Sequence, residues 1–277
     1  MRVGSVAIVV LTLCLPFPAF ARPVPQEAAV AAAPAPVLSD AQIVQFLENA
    51  KVVKTKSIGK GVTGAVRATL SDGTLTHDAQ IQKVDEKRAE FSAGKVREFN
   101  FEDSWKFNVA AYRVDRLIGL EMVPVSVART WKSDRSAFTW WLDDVQMDEG
   151  ARIKSQKQPP DSGIWNERMQ LVKLFDQLIG NTDRNSGNLL IGNSWQVWAI
   201  DHTRAFRTQN TLPNPANITR CDRQVLAGLK GLNRDVLKRE IGDFVTDFQI
   251  AGLLARRDQI VALIEKAGPT GVFDRRR

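Results

Sequence analysis

The periodicity of the apolar residues changes once along the chain, and that change restricts the fold more than any other feature. In the first half they recur at every second position: Val66, Ala68 and Leu70 alternate before a Ser-Asp-Gly turn, and a second alternating run follows around Ile81 to Val84. This pattern predicts an antiparallel hairpin or meander. After Gly150 they recur at every third or fourth position, with Trp165, Met169, Val172, Phe175 and Ile179 on one helical stripe. One helix is expected inside the strand-rich half, carrying Phe107, Ala111, Val114 and Ile118 and closed by Gly119. One strand is expected inside the helical half, from Trp195 to Ile200. A chain divided this way is α+β, with a β-rich lobe over 41–147 and a mainly helical lobe over 148–277.

The first residues read as a leader. MRVGSVAIVVLTLCLPFPAFARP carries an early Arg2, an apolar run from Val6 to Leu15, Pro16 and Pro18, and then Ala19-Phe20-Ala21. That is the pattern of a secretory signal peptide over 1–21, cleaved after Ala21. The apolar run is shorter than the ~20 residues a membrane span requires, so no stable span is expected after cleavage. Residues 22–40, rich in Ala and Pro, read as a flexible linker. The Ser39-Asp40 pair then caps a helix with Ile43, Phe46 and Leu47 on its face.

Export implies a secreted or periplasmic protein. Loss of the leader removes Cys14 and leaves Cys221 without an intramolecular partner, so the mature domain depends on its core rather than on disulfides. The formal charge of +7 is spread along the sequence and not gathered in one basic stretch. Nucleic acid is therefore not an expected partner.

Four features could carry chemistry. Gly59, Gly61, Gly64 and Val66 form G-x-G-x-x-G-x-V, with a strand after the glycines. That order suits a flap whose N–H groups approach phosphates better than a dinucleotide fold, which needs a helix there. Lys83 lies on the next alternating run, on the parity of Ile81. Asp183 and Asn188 stand five residues apart in DRNSGN, and Asp201 opens DHTRAF directly after an apolar strand. Taken singly, a strand lysine is ordinarily solvated and an Asp or Asn in a turn is ordinarily structural. Their joint order matches the equipment of phosphoryl transfer: one carboxylate for a hydroxyl nucleophile, an amide and a carboxylate for hard cations.

IGNTDRNSGNLLI and VWAIDHTRAF resemble the catalytic core of the atypical kinases of the phosphoinositide-kinase-like group, which includes the secretory-pathway kinases. The resemblance extends from about Lys51 to Phe206 and implies a two-lobed protein-kinase-like fold using ATP with Mg²⁺ or Mn²⁺. It implies that Asp183 is the catalytic base or orienter, that Asn188 and Asp201 hold metal, and that Lys83 meets the α/β-phosphates. Gly59, Gly61 and Gly64 would then form the flap, adenine would lie near Val145 to Asp148 with Met147 among its contacts, and Arg184 would neutralise acidic charge or hold the loop. Two departures stand out. The helix that should supply a glutamate for Lys83 offers Asn108, leaving Glu102 as the nearest candidate, and DHT lacks the glycine that usually follows. His202 reads as a packing or hydrogen-bonding residue, because no metal-site spacing surrounds it.

The implied partners are a nucleotide and a hydroxyl-bearing acceptor on a protein, glycan, lipid or small molecule. The same motif order also suits a pseudokinase that binds nucleotide as a scaffold, and a structural protein in which the three polar residues only hold turns. Export bears on this choice, since ATP is scarce outside the cytoplasm. N-terminal sequencing of the protein recovered from its cells is expected to begin at Arg22; a soluble form that retains Met1 would overturn the leader.

Overall fold

Ser39 begins the ordered body. Its hydroxyl accepts from the Gln42 N–H while the Gln42 side chain accepts from the Ser39 N–H, a reciprocal cap that starts α1 (Asp40–Asn49). The computed structural model describes Met1 and residues 38–58, 64–93 and 96–276. The expected leader, most of the linker, Gly59 and Gly61 lie outside the described residues.

Five strands follow the alternation of the sequence into one antiparallel sheet: β1 (Lys51–Ser57), β2 (Val66–Ser71), β3 (Thr76–Gln82), β6 (Ser126–Trp131) and β7 (Asp134–Trp140), ordered β1-β2-β3-β7-β6. Between β3 and β6 the chain forms a separate hairpin, β4 (Asp85–Ala93) with β5 (Val96–Ser104), and then α2 (Lys106–Leu117).

Register assigns each sheet residue to a face. Val66, Ile81, Phe138 and Val127 form one cross-strand row, and Ala68, Ala79 and Trp140 another on the same side. This side packs on α1: Phe46 meets Trp140 edge-to-face at 5.8 Å, and the Arg129 guanidinium donates to the Leu47 and Ala50 carbonyls. The opposite side carries Arg67, Gln80, Thr139 and Ser126 in one row, with Gln82, Ala137 and Ala128 in the next. Small residues there let α2 approach closely.

The helical half begins with β8 (Val145–Asp148) and α3 (Glu149–Lys154), followed by α4 (Ser162–Ile179). Next comes a second hairpin, β9 (Leu189–Gly192) and β10 (Val197–Ala199), which pairs with β8 through β9. The sequence had suggested one strand from Trp195; the structure begins the pairing at Leu189 and places Trp195 in the turn. A two-residue parallel pair, β11 (Cys221–Asp222) with β12 (Val272–Phe273), then brackets α5 (Arg223–Gly231), α6 (Arg234–Ile241) and α7 (Asp247–Ala267). All five residues of the α4 stripe pack in or against the core, four of them buried. One continuous apolar cluster runs through both halves.

Asp115 fixes the passage from α2 to β6. Its fully buried carboxylate accepts from the N–H groups of Met122 and Val123 at 2.9 and 3.3 Å and pairs with Arg116 at 2.8 Å. Removing it strands two buried donors. Asp115→Ala is therefore expected to cost about 3 kcal/mol in denaturant unfolding, and Asp115→Asn less, since its amide oxygen still accepts.

Candidate active site

The long helix α4 stops at Gly180, whose φ of +61° a side chain rarely adopts. Beyond it the loop folds on its own side chains. Asn181 donates to Asp176 at 2.9 Å and accepts from the Asp183 N–H at 3.1 Å. Asn185 then accepts from the Gly187 N–H at 2.9 Å and starts a single tight turn ending at Asn188.

Arg184 holds this loop against the strand that leads to Asp201. Its Nε meets Asp176 at 2.9 Å, and its Nη1 donates to the carbonyls of Asn188 and Ile200 at 2.8 and 2.7 Å. Its Nη2 lies 2.9 Å from His202 Nε2. Burial drives the His202 pKa well below the ordinary value, with the Arg184 charge acting the same way. The ring is neutral and accepts from Arg184. The His202 N–H donates to Asn108 of α2 at 2.8 Å. Ile200 N–H reaches the Asn188 carbonyl at 3.1 Å, so the backbones beside Asn188 and Asp201 are cross-tied.

Asp201 sits at a φ of +55°, a conformation that costs a non-glycine residue free energy and persists where the surroundings enforce it. Its carboxylate accepts from Thr203 at 3.2 Å. Burial raises its pKa, the nearby Asp183 raises it further, and Thr203 and Arg184 oppose them. Asp183 is half exposed and lies 3.5 Å from Arg204. Sequence reasoning missed a third carboxylate here. Asp103, on β5, is also raised by burial and by Asp201, and its Oδ1 is buried with no hydrogen-bond partner among the described residues. No apolar period marked it.

The remaining predicted residues are placed differently. Lys83 follows β3, is 57% exposed and bonds Asp134 at 3.3 Å, so it does not join Asp201. The correction has a simple cause. Lys83 does share the parity of Ile81, but the recess lies on the opposite side of the sheet, where Gln80 faces Asn108, Ser126, Thr139, Asp201 and His202. Glu102 likewise does not meet Lys83; it pairs with Lys87 at 2.8 Å and accepts from Gln249 at 2.9 Å. Arg67 provides a cation on the recess side of the sheet, bonded to Asp78 at 2.5 Å and stacked 4.2 Å over Trp141. Met147 pairs with Ile191 and packs against the core, and Gly64 stands at a φ of +64° just before β2. The recess at Asp201 is narrow, about 10 Å³.

Among the described residues no three carboxylate, imidazole or thiol groups converge as a metal cage. A hard cation at Asp201 would therefore draw on amide, water or phosphate oxygens as well, and such a mixed oxygen shell suits Mg²⁺. The Asp201 carboxylate and the orphaned buried oxygen of Asp103 are chemically compatible with that role.

A five-stranded sheet over a helical body, with the polar loops meeting between them, is a protein-kinase-like fold. Comparison with solved structures agrees: hydra Fam20 with sugar matches at a TM-score of 0.63 and 14% identity, over 84% of this chain and 92% of that one. The Golgi casein kinase with Mn/ADP bound matches at 0.59 and 13% identity, over 85% and 78%. At such identities the likeness concerns the fold. No protein-family model matches the sequence, and no curated protein does.

The side chains of Arg184 and Asp176 are both nearly buried, at 13% and 12% exposure. Arg184→Met leaves the Asp176 charge with only the Asn181 amide as a partner and should cost about 3 kcal/mol in denaturant unfolding. Adding Asp176→Asn should recover part of that loss, a non-additivity that a double-mutant cycle would measure.

Proposed function

We propose that this protein is an exported phosphotransferase that moves the γ-phosphoryl group of ATP to a hydroxyl on a protein, glycan, lipid or small molecule. One observation carries the reading: a single guanidinium, Arg184, ties together the loops of Asp183, Asn188 and Asp201 beneath a kinase-like sheet. A neighbour of the same fold solved with Mn/ADP supports nucleotide and divalent metal as the cofactors. Export rests on the leader-like sequence alone.

In this reading Asp183, which is half exposed, orients the acceptor hydroxyl and receives its proton. Asp201, with Asn188 and Asp103, would hold the cation, which when bound neutralises phosphate charge. Thr203 keeps the Asp201 carboxylate oriented. Gln80 offers the nucleotide hydrogen bonds from the sheet but no charge. Arg204 adds positive charge beside Asp183.

A nucleotide-binding pseudokinase is the second reading, favoured by the glutamine that takes the recess-facing place on β3. Calorimetric titration of ATP with and without Mg²⁺, beside transfer from γ-labelled ATP, separates the two. Asp201→Ala should lose metal-dependent binding and transfer together, while Asp183→Ala should keep binding and lose ~10²-fold or more in turnover. Lys83→Ala should change either by no more than about twofold, as expected of an exposed ion pair. Equal loss of binding in both aspartate variants would refute the division of roles, and wild-type binding without transfer would select the pseudokinase.

A further inference from the structure

A second cavity lies away from Asp201. It measures about 530 Å³, within the range of small-molecule sites. Its walls come from the first half of α4, the Pro159-Pro160 segment before it, the β9–β10 turn and the segment around Arg275. From Trp165 to the end of α4 is roughly 20 Å of helix at 1.5 Å per residue, so this cavity is separate from the Asp183 loop.

Two kinds of surface meet there. Trp165 and Trp195 stand edge-to-face at 5.7 Å, and Met122, Leu171 and Val197 extend the apolar wall. Trp195 is held at a φ of +62°, a strained backbone for so bulky a residue at a hairpin turn.

Arg168 and Arg275 supply the second surface. Neither forms an ion pair with a carboxylate among the described residues. Arg168 donates Nη1 to the Trp195 carbonyl, and Arg275 donates to the carbonyls of Leu120 and Gly119, at 2.8 Å for the latter. These bonds fix the direction of each guanidinium while leaving most of its N–H groups unspent. Arg276, by contrast, is committed to Asp161 at 3.2 Å and Glu167 at 3.6 Å. Burial lowers the Arg168 pKa, and the adjacent positive charge of Arg275 lowers it further. Two guanidinium groups that repel each other beside an apolar wall are relieved by an anion between them. Glu121 and Asp161 also line the cavity, so the favoured anion is small and does not fill the whole rim.

We propose that this cavity is a second ligand site, for a small organic oxyanion whose carboxylate or phosphate meets Arg168 and Arg275 while its flat apolar body lies against Trp165 and Trp195. The ligand is a free small molecule rather than a peptide, because the apolar wall and the two guanidinium groups line one cavity of small-molecule size.

Phenyl phosphate and benzoate test the two headgroups, with benzyl alcohol as the neutral control and inorganic phosphate as the control lacking the ring. Titration is by calorimetry on the full chain and on Asp201→Asn, which separates this cavity from the recess. At least one aromatic anion should saturate on both proteins. It should bind roughly tenfold or more weakly to Arg168→Gln and to Arg275→Gln, the loss expected when a charge-assisted bond is removed. Trp195→Ala should weaken the aromatic anions but not inorganic phosphate. Thermal melts identify any variant that fails to fold, and Arg168→Lys, which keeps the charge, should retain part of the affinity. The proposal is overturned if neither aromatic anion saturates, if benzyl alcohol binds equally well, if folded Arg168→Gln and Arg275→Gln bind as the wild type does, or if Asp201→Asn abolishes binding.

Discussion

Arg184 satisfies groups from separate parts of the chain that cannot satisfy one another: the Asp176 carboxylate at the end of α4, the carbonyls of Asn188 and Ile200, and the His202 ring. A lysine could not replace it. An ammonium concentrates its three donors at one point, whereas these acceptors lie around the plane of a guanidinium. The neutral state of His202 belongs to the same arrangement, since a protonated ring would present a second cation to Arg184 and lose its acceptor. Through His202 the network continues to Asn108, so α2 senses the position of this loop directly.

Much of the architecture was legible because burial imposes period. The α4 stripe, the apolar face of α2 and the alternation of β2 were readable from spacing, because their large apolar residues recur with the period of the element. The β4–β5 hairpin was not readable, since DEKRAEFSA exposes most of both faces and carries no apolar period. The polar loops around Asp183 and Asp201 could be read as a constellation through resemblance. Asp103 could not, because its proximity to Asp201 depends on a pairing across almost a hundred residues.

Lys83 shows how little separates a correct pattern from a wrong assignment. Its alternation with Ile81 holds, yet the alternation cannot say which side of a sheet faces a ligand when both sides are covered. Here α1 claims the Ile81 side and α2 the Gln80 side. One residue of offset therefore exchanges a cation for an amide in the recess. Among the described residues, Arg67 on the neighbouring strand β2 places a cation on that side of the sheet.

The inserted β4–β5 hairpin is anchored from far along the chain. Glu98 pairs with both Arg204 and Arg207, and Arg204 also lies over the Phe101 ring at 5.1 Å. The carbonyls of Arg207 and Gln209 are held in turn by Arg256, fully buried on α7 and bonded also to the Leu178 carbonyl at 2.9 Å. Because synthesis runs from the N-terminus, the first two hundred residues emerge with Glu98 still lacking Arg204 and Arg207. The surroundings of Asp183 are thus completed by residues from late in the chain, so the order of the hairpin depends on contacts across more than a hundred positions.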